Sequence, residues 1–413
     1  MNLTKKRWLI LLLCCLANLC LGSVYAWSVF ASPMAEYLSG LTGRTLTTAD
    51  LAVVYTVANS VGPITMISGG WFNDTFGPKK VIFTGGLLFG LGMVFSGFAS
   101  SVEMLMFTYG ILSGLGLGMA YGCTISSCVK YFPDKRGLIG GLTTACYGLS
   151  SVILPPVVTV LVGRFGAAAS FKIVGVVFVL VICISALFIE PCPVGFVPEG
   201  WEPPKAQAAG GIVDKDWKQM LKTPVFYIMI FTLTTGAFSG MMIISQASAV
   251  GKEMIGMSAA SASLAVSVLA LFNAAGRLAA GYLSDRIGRI NTLTLACVFS
   301  VGGTGLLYFC DTGTIGMCYG GISIVGICFG SFMGVFPGFT ADQFGPRNNS
   351  VNYGIMFIGF ALAGYFGPTI MRSVYYGDGS YRKAFLIACG LSAVGVLLTW
   401  TYRAAVRGKS NLK

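Results

Sequence analysis

The amino-acid sequence predicts an all-α membrane protein: twelve transmembrane helices arranged as two six-helix halves. Three observations carry this expectation. The chain has 413 residues, of which 55% are hydrophobic and only 10% charged, against about 25% charged in soluble domains. Too little polar surface exists for a water-soluble fold. Apolar stretches long enough to supply the roughly 20 helical residues that cross a hydrocarbon core recur along the whole chain. One loop motif also occurs twice, half a chain length apart.

The first stretch, 8–30, follows directly on Lys5, Lys6 and Arg7. No small-residue cleavage site leads from it into a soluble domain, so it reads as a retained helix and not a removed signal peptide. Five more follow at 51–72, 81–99, 104–128, 138–163 and 173–189. A polar segment, 190–222, carries Pro191, Pro193, Pro198, Pro203 and Pro204 and reads as a cytoplasmic linker. The last six stretches are 224–250, 258–283, 292–309, 314–337, 351–371 and 384–402. The expected organisation is therefore a first half over 1–189, the linker, and a second half over 223–413. With the N-terminus in the cytoplasm, most of the 27 Lys and Arg fall in cytoplasmic segments. That is the positive-inside bias, and it places both termini in the cytoplasm. The net charge of +12 then reflects orientation and attraction to anionic lipid, and calls for no nucleic-acid partner.

Several chemistries have nothing to be built from. Histidine is absent and no CxxC pair occurs, so neither a metal site nor a cofactor is expected. The thirteen cysteines lie in or beside predicted spans, Cys192 excepted, and act as small hydrophobes. A channel would need a repeated filter or a charged ring. A membrane enzyme would need a nucleophile beside a base.

The repeated loop reads Gly70, Asp74, Gly77, Lys79, Lys80 between spans two and three. It returns as Gly281, Asp285, Gly288, Arg289 between spans eight and nine. An even helix count leaves the two halves in the same orientation, as in carriers built from parallel repeats. The glycines permit a tight turn and close helix approach. The aspartate is expected to cap the start of the next helix, and the basic residues to hold the loop at the cytoplasmic face as a gating and structural element.

Arg277 is the most informative single residue, because it puts a permanent charge inside the eighth span. An arginine at the centre of a bilayer helix costs about 2.5 to 3.5 kcal/mol or more, so such residues usually face a cavity and hold a partner. No acidic residue lies within two turns before it, and Asp285 is two turns on. The missing partner is expected to be the cargo, an anion. Snorkelling of Arg277 toward Asp285 is the alternative.

Narrower motifs add a family resemblance. They are Tyr25-Ala26-Trp27-Ser28-Val29-Phe30-Ala31-Ser32-Pro33 in the first span, Tyr121-Gly122 in the fourth, Tyr131-Phe132-Pro133-Asp134-Lys135-Arg136-Gly137 after it, and Phe272-Asn273 through Arg277 in the eighth. With the duplicated loop, they resemble the major facilitator superfamily over essentially the whole length. Within it they resemble the oxalate/formate antiporter family and the related monocarboxylate transporters. The resemblance implies the major facilitator fold and alternating access. It also implies an anion bound by Arg277, with Tyr121 and Tyr25 as cavity residues; a belt or packing role is the alternative for both tyrosines.

Departures from the family narrow the cargo. Where the oxalate carrier of the family has a second basic residue after Asn-Tyr-Gly, this chain has Asn352-Tyr353-Gly354 and then Phe360. Two tenth-helix aromatics of that carrier fall on Phe329 and Met333, and a first-span glutamine on Val24. One cation balances one carboxylate, whereas a second charge would stay buried without a counter-ion. A short monocarboxylate such as L-lactate, pyruvate, formate, acetate or glycolate is therefore expected, against an apolar wall of Phe329, Met333 and Phe360. Plain core is the alternative for these three residues.

Animal monocarboxylate transporters carry an Asp where this chain has Asn273, which shares a face with Arg277 but cannot titrate. Importing a lone anion against an inside-negative potential costs about 2.3 kcal/mol per 100 mV, which one co-transported proton cancels. Proton-coupled symport is the expected mode and anion exchange the alternative. Glu36, Glu253 and Asp342 are the candidate proton carriers. The expected setting is a bacterial cytoplasmic membrane, and the expected oligomeric state a monomer.

Overall fold

The computed structural model describes residues 2–203 and 214–410. The ordered elements among them are all helical. α1 (Leu3–Leu21) and α2 (Trp27–Thr42) are joined by a 3-10 turn over Gly22–Ala26. They form one run, so the first crossing extends well beyond the expected 8–30. Then come α3 (Ala52–Phe76) and α4 (Pro78–Ser96). α5 (Val102–Tyr131) opens on a Ser101 cap that accepts from the Met104 amide at 3.2 Å. α6 (Arg136–Phe188) is broken into two arms at Gly166 (φ 76°, ψ 169°). The second part of the chain holds α7 (Pro224–Met254), α8 (Ala259–Ile287), α9 (Arg289–Tyr308) and α10 (Ile315–Phe344). α11 (Asn349–Met356) and α12 (Ile358–Asp378) are separated at Phe357, and α13 (Arg382–Ser410) follows.

Among the described residues, ten helical runs are long and apolar enough to cross a membrane. α3 is long enough but less apolar, and stays outside that set. Counting it, and the arms of α6 separately, recovers the twelve crossings expected from the sequence. Lipid-facing positions such as Leu180, Ile184, Phe299, Leu397 and Trp400 are exposed in the protein alone. A bilayer relieves that exposure, which water would penalise.

The chain forms two compact units: Met1–Asp134 with Cys146–Asp214 and Phe344–Ile355, and Lys135–Ala145 with Lys215–Gln343 and Met356–Lys413. Within the first, α3 and α4 pack on α5. Gly116 makes the α4 contact possible, since a Cβ there would lie 2.9 Å from the Phe89 Cα. Within the second, α9 packs on α13, and α7 on α12 and α13. Short segments, 135–145 and 344–355, thus belong to the unit opposite to the one that sequence halves would suggest. Of the expected linker, residues 204–213 lie outside the described residues; the part before them is non-helical, and Pro191 accepts a bond from the Tyr131 hydroxyl at 3.2 Å.

Candidate anion site and the duplicated loops

α8 is held at close range by glycines on its neighbours. On α10, Gly326, Gly330 and Gly334 recur every four residues, on one helix face. A Cβ on Gly330 would lie 2.9 Å from the Arg277 amide nitrogen, and one on Gly334 2.9 Å from the Arg277 Cα. On α6, a Cβ on Gly141 would lie 3.1 Å from the Arg277 carbonyl carbon. The backbone at Arg277 is therefore fixed on two sides before its side chain is considered.

That side chain is buried, with the residue only 2% exposed. Its Nε donates to the Asn273 Oδ1 at 3.1 Å, the one-turn relationship expected from sequence, and its Nη1 donates to the main-chain carbonyl of Thr144 on α6 at 2.7 Å. None of the ion pairs among the described residues involves Arg277. The cation faces neutral oxygens, and snorkelling toward Asp285 is not the arrangement observed. Hydrogen bonds from a guanidinium to a carboxylate are roughly twice as strong as neutral ones and can be bidentate, so the chemistry of this group favours an anion.

In the first unit, Tyr25 and Tyr121 both meet Tyr147. Ring centroids lie 5.4 Å and 4.5 Å apart, respectively. Tyr121 is buried and Tyr25 half-buried. In the second unit, Phe329 and Met333 are buried on α10. The Phe329 ring lies 6.2 Å from Phe360, which stacks on Phe357 at 4.4 Å.

The duplicated loops take matching backbone shapes. Gly77 (φ 87°, ψ 163°) and Gly288 (φ 90°, ψ 152°) sit in the same left-handed conformation at equivalent positions. Their aspartates cap helices, but not the next ones, as the sequence suggested. Asp285 accepts from the amides of Gly137 at 2.9 Å and Leu138 at 2.8 Å, at the start of α6, and pairs with Arg289 at 2.6 Å. Asp74 accepts from the Val351 amide at 3.0 Å, in the first turn of α11, and pairs with Lys130 at 2.6 Å. The physical reason lies in Gly70 and Gly281. Their missing side chains let those distant helix starts close in: a Cβ on Gly70 would lie 2.6 Å from the Ser350 carbonyl oxygen, and one on Gly281 3.1 Å from the Gly137 carbonyl carbon. Lys79 and Lys80 are exposed.

The three candidate acids differ in setting. Asp342 bridges Arg136 at 2.7 Å and Arg289 at 2.8 Å. Glu253 accepts from the Tyr381 hydroxyl at 2.8 Å. Burial first, and then the Glu253 carboxylate, hold the Tyr381 hydroxyl above the usual tyrosine range, so it stays a donor. Glu36 is exposed on α2.

Sequence reasoning missed Thr144, Tyr147 and a buried polar string in which Asn73 donates to Ser350 at 2.6 Å and Ser350 to Ser126 at 2.8 Å. Tyr147 lies inside the fifth expected span but in none of the motifs that carried the resemblance, which is what singled out Tyr121. A main-chain carbonyl such as that of Thr144 carries no signal at all.

Apolar crossings, a buried cation facing neutral acceptors and a duplicated loop define a multi-pass membrane carrier. A family model described as Major Facilitator Superfamily matches residues 12–368 and 252–413. The chain belongs to that superfamily, and is an integral, multi-pass membrane transporter. Among its relatives is the oxalate:formate antiporter of Oxalobacter formigenes, 29% identical over 404 residues, covering 96% of this chain and 91% of the relative. Another is monocarboxylate transporter 12 of Homo sapiens, 25% identical over 411 residues, covering 94% of this chain and 78% of the relative. The crystal structure of the superfamily transporter FucP in the outward conformation superposes with a TM-score of 0.71 at 14% identity, covering 96% of this chain and 99% of FucP. That similarity shows the fold.

Proposed function

We propose that this protein is a secondary active transporter of small monocarboxylates such as L-lactate or pyruvate, working by alternating access as a proton-coupled symporter. The observation that carries the proposal is Arg277, 2% exposed with no carboxylate partner among the described residues. One carboxylate neutralises this site. A second would remain as buried, uncompensated charge. Asn273 orients the guanidinium, Tyr121 and Tyr25 supply hydroxyls, and Phe329, Met333 and Phe360 form the apolar wall for a short carbon skeleton. The duplicated loops around Asp74 and Asp285 act as gating and structural elements at the cytoplasmic face. The protein is a monomer of the bacterial cytoplasmic membrane with both termini inside.

Anion exchange is the second reading. It is favoured by the oxalate:formate antiporter among the relatives. Uptake of labelled L-lactate into proteoliposomes separates the two: stimulation by an inward proton gradient supports symport, and stimulation only by internal anion supports exchange. No uptake of any short organic acid under either gradient would refute both.

A further inference from the structure

α8 grips the beginning of α6 at two levels. At the lower level, Asp285 caps the amides of Gly137 and Leu138. This carboxylate-to-amide contact is reinforced by Arg289, whose charge the Asp285 carboxylate already balances. At the upper level, two turns along, where Gly141 lets the two backbones approach, the Arg277 Nη1 donates to the Thr144 carbonyl at 2.7 Å. That second contact is unequal in kind. A permanent cation is satisfied by a neutral carbonyl, although a free carboxylate would be the stronger acceptor. Thr144 also lies one residue before the end of the segment Lys135–Ala145, where α6 passes from one compact unit into the other.

We propose that the Thr144 carbonyl is the resident occupant of the anion site. In the empty carrier it takes the place of the cargo carboxylate on Arg277 and so ties α6 to α8. An arriving carboxylate displaces it from Nη1, and α6 is released at that level while Asp285 keeps its cap. Thr144 is a positioning residue, and its exchange for cargo gives occupancy a mechanical consequence: the empty carrier is held by a contact that loading removes. The displacement step rests on the reading of Arg277 as the anion site; the hold in the empty carrier does not.

Hydrogen exchange read by mass spectrometry on the full chain in lipid nanodiscs tests both parts. Without any anion, Arg277→Gln is expected to speed exchange of the α6 amides around Thr144 about tenfold, the signature of a lost local restraint. Gly141→Ala should do the same with the arginine intact, because its methyl would meet the Arg277 carbonyl and force α6 off α8. Amides of α9 and α13 should be unchanged, which certifies folding. In the wild type, saturating L-lactate should reproduce the effect, and in Arg277→Gln it should add nothing. The hold is refuted if α6 exchange is unaltered in Arg277→Gln while α9 and α13 remain protected. Should that variant not fold, unaltered exchange in Gly141→Ala refutes it equally. If both variants respond but L-lactate, formate and oxalate all leave the wild type unmoved, the hold stands and displacement is overturned.

Discussion

The Asp285 carboxylate sits on the amide of Gly137 at 2.9 Å, although 148 positions of chain separate the two residues. With the Leu138 amide and Arg289 also on it, one side chain closes the start of α6 and neutralises its neighbour. A carboxylate at a helix N-terminus is favoured by the aligned peptide dipoles and satisfies amides that have no partner within the helix. Asp285→Asn keeps the shape and removes the charge. It is expected to lower stability by about 0.3 to 1 kcal/mol, read as a fall in melting temperature, and to reduce transport more than anion binding. Binding and flux falling together would count against a gating role.

Asn273 sets the orientation of Arg277 through the Nε bond at 3.1 Å. Asn273→Asp places a titratable carboxylate there. When ionised it competes with cargo for the guanidinium, and when protonated it frees it. Anion affinity of this variant should therefore be weak at high pH and recover as pH falls, whereas the wild type lacks that titration. Affinity measured across pH by fluorescence or calorimetry checks this, and parallel profiles for both proteins would contradict it.

Gly330 and Gly334 bring α10 onto the backbone of Arg277. Gly330→Leu forces the helices apart, and overpacking of this kind costs about 1 to 3 kcal/mol. The account expects a lower melting temperature together with weakened anion binding. Loss of stability with unchanged affinity would show that the stripe serves packing alone.

Asp342 is bound by two guanidiniums, and its arrangement is that of an ionic joint. Glu253 instead accepts from a neutral tyrosine hydroxyl. Glu253→Gln is thus the substitution expected to abolish stimulation of L-lactate uptake by an inward proton gradient while preserving exchange across the membrane. Full gradient stimulation in that variant would remove Glu253 from the proton route.

Much of this was legible in the sequence because bilayer physics is blunt. Stretches without charge must be helical, and a lone arginine within one must find a partner. Arg277, its one-turn relation to Asn273 and the duplicated loop could all be read from spacing. What was not legible depends on approach between distant segments. Asp74 and Asp285 reach remote helix starts because Gly70 and Gly281 leave room, and spacing within a loop says nothing of that. The division of α6 at Gly166 depends on a backbone conformation that sequence permits without requiring. The Thr144 carbonyl is a group that every residue type carries.

The central claim is that Arg277 binds the carboxylate of the cargo. Calorimetric titration of L-lactate into purified wild-type protein and Arg277→Gln tests it most directly, with melting temperature recorded alongside. The account predicts at least a hundredfold loss of affinity, about 2.7 kcal/mol, in a variant that melts no lower than the wild type, because a neutral amide is easier to bury than a guanidinium. L-lactate binding within twofold of wild type in a folded Arg277→Gln protein would contradict it.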